Sequence, residues 1–117
     1  MTGPVVGGNI RCFLKLAGTP YLPDPRGKIL FLESLGGGPN RMASLLAQLG
    51  QMGYLAQCRG VLLGTFTQMA AQKLEPPMEE LVLDVMHGNS IPIAVSPDLG
   101  HGDDAHCLPI GAVVSFQ

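Results

Sequence analysis

The segment KILFLE, Lys28 to Glu33, decides the fold, because it places four large apolar residues in a row between a lysine and a glutamate. A short continuous apolar run is typical of a β-strand that is buried on both faces of a sheet. The run ends on a carboxylate, and the glycine-rich SLGGGPN, residues 34–40, then breaks the chain. KILFLE therefore predicts a central strand that carries Glu33 to one edge of a sheet.

Similar segments and helical patterns alternate along the rest of the chain. Apolar runs predict three more strands, GVLLGTF (60–66), IPIAVS (91–96) and GAVVSF (111–116). Apolar residues at helical spacing predict helices over residues 10–17, from Pro39 or Asn40 to about Gly53, and over Pro76–Met86. Asn9 is a suitable N-cap for the first of these helices. The alternation predicts one α/β domain, residues 1–117, with a mainly parallel or mixed sheet flanked by helices.

Composition excludes several classes of protein. The net charge is −2 and lysine and arginine form no cluster, so we expect no nucleic-acid partner. No apolar run approaches the ~18 residues of a membrane span, and the first residues lack the pattern of a signal peptide. Three scattered cysteines without a C-x-x-C motif favour reduced thiols in the cytoplasm.

The segment LGHGDDAHCLP, residues 99–109, follows another predicted strand and concentrates polar side chains. If this strand and KILFLE are parallel neighbours, Glu33 and His101 meet at the carboxyl edge of the sheet. A neutral histidine accepts and returns a proton near pH 7, and a carboxylate on its other nitrogen orients it. Gly100 and Gly102 flank His101 and are expected to let the backbone adopt unusual angles and to keep the imidazole unobstructed.

Two other interpretations of this segment stay open. Its residue types suit a zinc site with ligands drawn from one set, His101, Asp103, Asp104, His106 and Cys107. All five lie within seven positions of one loop, however, without the helical spacing of a H-E-x-x-H motif. Alternatively, the two aspartates and His106 form only a solvated turn.

A nucleophile is missing from this arrangement. No serine stands in a G-x-S-x-G turn, and Ser34 adjoins Glu33, so its side chain is expected to point elsewhere. Neither Cys12 nor Cys58 has a histidine nearby in the sequence. The residues thus indicate two members of a three-residue catalytic set.

Five segments together resemble one family, the LD-carboxypeptidases. They occur in the same order and cover almost the whole chain: GGNIRCFLKLAGTPYLPDPRGKILFLES (7–34), RMASLLAQLGQMG (41–53), RGVLLGTF (59–66), IPIAVSPDLGHG (91–102) and LPIGAVVSF (108–116). The resemblance is to the C-terminal domain only. It implies a swivelling β/α domain that uses no metal or organic cofactor, in a protein that is commonly a cytoplasmic homodimer.

The resemblance also implies roles for two residues. Members of the family are two-domain serine peptidases whose triad follows the order Ser, Glu, His. The glutamate corresponds to Glu33 and the histidine to His101, whereas the serine belongs to an N-terminal domain whose motif is absent here. We therefore expect the 117-residue chain to be inactive by itself.

The resemblance further implies a substrate. The family releases terminal D-alanine from murein tetrapeptides during cell-wall recycling, while the related microcin C self-immunity proteins cleave a peptide-nucleotide. Ser34 stands where the family often has a second acid, which leaves the choice between these substrates open. A non-catalytic binding module with the same fold is the remaining alternative.

Overall fold

The computed structural model describes all 117 residues and contains five strands and five helices. The strands are β1 (Thr2–Asn9), β2 (Ile29–Ser34), β3 (Gly60–Phe66), β4 (Ile93–Val95) and β5 (Val113–Ser115). The helices are α1 (Ile10–Leu14), α2 (Pro39–Gln51), α3 (Tyr54–Gln57), α4 (Thr67–Ala71) and α5 (Met78–Met86). None of the five helices combines the length and the apolar composition that crossing a lipid bilayer requires.

The strands form one mixed sheet in the order β4-β3-β2-β1-β5. The strands β1 to β4 are parallel to one another, and β5 runs antiparallel to its neighbour β1. KILFLE supplies the central strand, and all six residues of β2 are buried. The predicted fold class, an α/β domain with a mainly parallel or mixed sheet and flanking helices, is therefore confirmed.

All five helices pack on one face of the sheet. Twenty buried residues form this core, which includes Leu30 and Leu32 of β2 and side chains from every helix. The apolar stripe of α2 contributes Met42, Leu46 and Leu49, which are at most 1% exposed. This layer holds most of the apolar surface that stabilises the domain.

No helix covers the opposite face of the sheet. The smaller core on this face contains Val5, Ile29, Phe31, Leu62 and Leu99. It is closed by the chain between β4 and β5, residues 96–112, which we call the covering segment. Leu99 of this segment is 6% exposed, and Leu108 packs against the same cluster. Thus β2 is buried on both faces, but by helices on one side and by a long loop on the other.

The sequence analysis missed β1. Three glycines and a proline lie among its eight residues, and these residue types are uncommon in strands. Pairing decides the structure instead, because β1 bonds to β2 along Val5–Asn9 and to β5 along Thr2–Pro4. Helices α3 and α4 also escaped prediction, since segments of four and five residues carry almost no periodicity.

Several predicted boundaries need correction. Helix α1 begins after the Asn9 cap as predicted, with the Cys12 amide donating to Asn9 Oδ1, but it ends at Leu14 rather than near residue 17. Helix α5 begins at Met78, because the two preceding prolines stay outside it. The strands β4 and β5 have only three residues each, shorter than the predicted runs, while β3 and α2 match their predictions closely.

Candidate active site

Glu33 and His101 lie in direct contact, although they are 68 residues apart in the chain. Nδ1 of His101 is 2.6 Å from Oε2 of Glu33. Glu33 is only 7% exposed, whereas the side chain of His101 is 43% exposed. A buried carboxylate thus holds an imidazole whose other ring nitrogen is left for a reacting group.

Alternation along β2 decides which side chain meets the histidine. Ile29 and Phe31 point to the face that the covering segment closes, and Glu33, two residues further on, points the same way. Ser34 points away from the pair, and its hydroxyl donates to the carbonyl of Gly36 at 2.7 Å. Ser34 is therefore excluded as a partner of His101, in agreement with the sequence-based expectation.

The backbone of β3 holds the covering segment in place. The Ser96 amide donates to the Leu63 carbonyl, and the Thr65 amide donates to the Leu99 carbonyl, both at 2.8 Å. The His101 amide donates to Oγ1 of Thr65 at 3.2 Å. These bonds carry the chain from β4 across the end of β3 and bring His101 above β2.

This path corrects one premise of the sequence analysis. The strands that precede Glu33 and His101 are β2 and β4, and they are not neighbours, because β3 lies between them. Opposite Glu33, moreover, β3 has an extra residue: Leu32 pairs with Leu63 and Ser34 with Phe66, so Gly64 and Thr65 both face one residue of β2. Such a bulge bends a strand and re-aims its groups, here towards the covering segment.

Two glycines are needed for this arrangement. A Cβ on Gly64 would lie 2.6 Å from the Leu99 carbonyl oxygen and 2.8 Å from the Phe31 ring. Gly100 has a φ of +121°, and a Cβ there would collide with Oγ1 of Thr65. Gly102 has neither constraint, since nothing lies within 4 Å of the position its Cβ would take. Only one of the two glycines beside His101 therefore has the predicted conformational role.

A cavity of about 260 Å³ opens beside the Glu33–His101 pair. Its apolar wall consists of Phe31, Leu99, Leu108 and Ile110, and the other lining residues are Gly8, Glu33, Gly100, His101 and His106. One interpretation from the sequence places His106 in a solvated turn. His106 is exposed, as that interpretation expects, and it also lines the cavity, because its amide donates to the Asp98 carbonyl at 2.7 Å and folds the loop back.

The remaining polar residues of the loop do not converge. Asp103, Asp104 and Cys107 are exposed, and none of them makes a side-chain hydrogen bond or ion pair. No group of three or more His, Cys, Asp or Glu side chains is arranged to hold a metal ion. The five-ligand interpretation requires a convergence that the structure does not contain.

Cys58 does not supply a nucleophile either. It lies in the core on the helix face, where burial raises the pKa of its thiol to about 12. Burial likewise raises the pKa of the nearby Tyr54 to about 12, and the Tyr54 hydroxyl donates to the Pro23 carbonyl. No hydroxyl or thiol of the chain bonds to the imidazole ring of His101, so the pair offers a proton acceptor without a nucleophile.

Comparison with known proteins defines the class. A model of the LD-carboxypeptidase C-terminal domain matches residues 2–116, and the chain therefore belongs to the LD-carboxypeptidase family. The probable murein peptide carboxypeptidase of Bacillus subtilis is 31% identical over 117 residues, which cover 98% of this chain and 37% of that protein. The chain thus spans little more than a third of that relative.

Solved structures agree with the fold. The muramoyltetrapeptide carboxypeptidase from Oxalobacter formigenes superimposes with a TM-score of 0.77 at 29% identity, over 97% of this chain and 40% of the other. The microcin C7 self immunity protein MccF gives a TM-score of 0.82 at 23% identity, over 97% and 34% of the two chains. At that identity the second likeness concerns the fold alone.

Proposed function

We propose that this chain supplies the histidine and glutamate of a Ser-Glu-His triad in a serine LD-carboxypeptidase. The observation that carries the proposal is the 2.6 Å contact between Nδ1 of the half-exposed His101 and Oε2 of the buried Glu33. A carboxylate on one imidazole nitrogen and free space at the other is the arrangement that general-base catalysis requires. The nucleophilic serine is proposed to come from a second domain, because this chain places no hydroxyl against the imidazole.

The reaction follows from the free imidazole nitrogen. Nε2 of His101 accepts the proton of the serine hydroxyl while the serine oxygen attacks the carbonyl carbon of the scissile amide. Glu33 keeps the Nδ1–H oriented and stabilises the imidazolium. His101 then gives the proton to the leaving nitrogen, and the D-amino acid departs with its amine. Water, deprotonated by the same imidazole, hydrolyses the remaining serine ester.

Murein peptides are the substrate class we propose, with release of terminal D-alanine. The support comes from relatives at 31% and 29% identity whose names specify a murein peptide carboxypeptidase and a muramoyltetrapeptide carboxypeptidase. Cleavage of a peptide-nucleotide is the alternative substrate, suggested by the likeness in fold to MccF. Cytoplasmic location and homodimer formation stay predictions of the family resemblance.

Two substitutions in the full-length protein test the triad. His101→Ala is expected to lower kcat for D-alanine release from a murein tetrapeptide by about 10³-fold or more, because it removes the proton acceptor. Glu33→Gln is expected to lower kcat less severely, since the imidazole remains but loses its orienting charge. Asp104→Ala is the control, because Asp104 is exposed and has no partner.

Clear results would overturn the proposal. A near-normal kcat for the His101 variant would remove this histidine from the mechanism. Measurable D-alanine release by the purified 117-residue chain would show that the nucleophile lies within it. Binding without hydrolysis by the unmodified full-length protein would favour the non-catalytic binding module.

A further inference from the structure

Two of the four arginines have no partner in the structure. Arg26 binds the carboxylate of Asp24, which holds the pKa of that carboxyl at about 2, and Arg59 donates to the Thr2 carbonyl at 2.7 Å. The guanidinium groups of Arg11 and Arg41 make no hydrogen bond and no ion pair. Both residues are exposed, so an anion that arrives from solvent can reach them.

These two arginines lie together. Both line a cavity of about 210 Å³, whose other walls are Asn9, Ser34, Leu35, Gly36, Met42 and Leu45. Asn9 is the last residue of β1 and Ser34 is the last residue of β2, so the cavity opens at the carboxyl edge of the sheet. Sites for small molecules in parallel sheets form at this edge.

The arginine cavity adjoins the candidate active site. The 260 Å³ cavity at the active site includes Gly8 and Glu33, and the arginine cavity includes Asn9 and Ser34, the next residue on each strand. Consecutive Cα atoms are about 3.8 Å apart, and successive side chains point to opposite faces. The two cavities therefore flank the same strand ends, one on each face of the sheet.

The start of α2 adds positive character beside Arg41. Helix α2 has 13 residues, no side-chain cap at Gly38 and no acidic residue in its first turn, so none of its own side chains offsets its positive end. Gly37 has a φ of +104° and leaves room for the aliphatic stem of Arg41. The Cδ atom of Arg41 lies 3.0 Å from the position that a Cβ on residue 37 would take. Glu75 and Arg41 both line a further cavity at the start of α2, but they form no ion pair with each other.

We propose that Arg11 and Arg41 form a subsite that binds an anionic group of the substrate. The planar guanidinium matches the two oxygens of a carboxylate or a phosphate and binds them in pairs. An anion held at this cavity would lead an extended substrate across the strand ends, with its scissile amide beside His101. The inference rests on the proposed function, and the anion comes from a peptide carboxylate or from the phosphate of a peptide-nucleotide.

Binding to the 117-residue chain tests the subsite without catalysis. Titrations followed by amide NMR would use N-acetyl-L-alanyl-D-alanine, the same dipeptide with its carboxylate replaced by an amide, and adenosine monophosphate. We expect the two anions to shift signals of residues 9–12 and 34–42, and the neutral amide to leave them unchanged. The anion that binds with the lower Kd shows whether the subsite recognises a peptide carboxylate or a phosphate.

Matched variants assign the binding to these side chains. Arg11→Gln and Arg41→Gln keep most of the aliphatic stem, and each is expected to weaken anion binding about fivefold or more by removing charge-assisted hydrogen bonds. Arg26→Gln removes the same charge before β2, at the opposite end of that strand, and is expected to change nothing. Equal affinity for acid and amide, unchanged affinity in both variants, or the same shifts with sodium chloride would overturn the subsite.

Kinetics of the full-length protein separate this inference from the proposed function. Arg41→Gln is expected to raise KM about fivefold or more with little change in kcat, whereas loss of His101 lowers kcat. An unchanged KM in both arginine variants would contradict the subsite. If the unmodified protein hydrolyses neither substrate, the proposed function fails, and the titrations still decide whether the arginines bind an anion.

Discussion

Replacing the glycine on either side of His101 by alanine should have very different effects. Gly100 has a φ of +121°, and the added methyl of Gly100→Ala would collide with the hydroxyl of Thr65. Gly102 has no atom within 4 Å of its Cβ position and no positive φ. The pair of variants therefore tests whether the local backbone, rather than glycine content in general, holds the histidine.

The magnitude follows from two contributions. Forcing a residue with a side chain into a sparsely populated backbone region costs about 1–3 kcal/mol. Displacing Thr65 also breaks the 3.2 Å bond from the His101 amide, and one such bond contributes about 0.5–1.5 kcal/mol. Gly100→Ala should thus lower the free energy of unfolding by about 2–4 kcal/mol, whereas Gly102→Ala should stay within about 0.5 kcal/mol of the original.

Urea unfolding of the 117-residue chain measures this difference. With a slope of about 1–3 kcal/mol per molar urea, Gly100→Ala should move the midpoint down by about 1 M or more. Proton NMR should still detect the hydrogen-bonded Nδ1 proton of His101 in Gly102→Ala and lose it in Gly100→Ala. Equal midpoints for the two variants, or an unaltered Nδ1 signal in Gly100→Ala, would refute the argument.

Two further predictions concern the core on the helix face. Burial raises the pKa of the Cys58 thiol to about 12, so a thiol reagent near pH 8 should label only the exposed Cys12 and Cys107 in the folded chain. Cys58 should react only after urea unfolds the chain. Three labelled thiols in the folded chain would contradict this prediction. Tyr54→Phe should cost about 1 kcal/mol, because it removes the 2.8 Å bond from the hydroxyl to the Pro23 carbonyl. Burial raises the pKa of Tyr54 from 10.0 to about 12, so the original chain should lose stability as the pH rises through that range. Tyr54→Phe should lose less stability over the same range, which urea midpoints at several pH values measure. Equal losses in the two chains would contradict this reasoning.

The parts of the fold that the sequence predicted well are those with a strong local pattern. The apolar run of β2, the run of β3 and the stripe of α2 each lie where their periodicity placed them. Strand β1 was missed because its pairing with two neighbours overrides the poor strand propensity of its glycines and proline. A local pattern does not predict the order of strands, and β3 lies between β2 and β4, whose neighbouring position the sequence analysis took only as a condition.

The candidate site was predictable in part. Glu33 and His101 could be named from residue types and resemblance, and the structure brings them into contact; their catalytic role stays a proposal. The place of His106 on the cavity wall depends on the fold of the covering segment, which has no regular repeat. That Arg11 and Arg41 lack partners depends on every neighbouring side chain, so it could not be inferred from the sequence.

Alternation along β2 also restricts how the sequence can change in length. One residue inserted within the strand would turn Glu33 to the helix face and set an aliphatic or hydroxyl side chain beside His101. Residues added to the loop between α1 and β2 would leave the pairing of Asn9 with Glu33 intact. Length changes in functional relatives should therefore gather in that loop. Within β2, only insertions or deletions of an even number of residues would keep Glu33 on the face of His101.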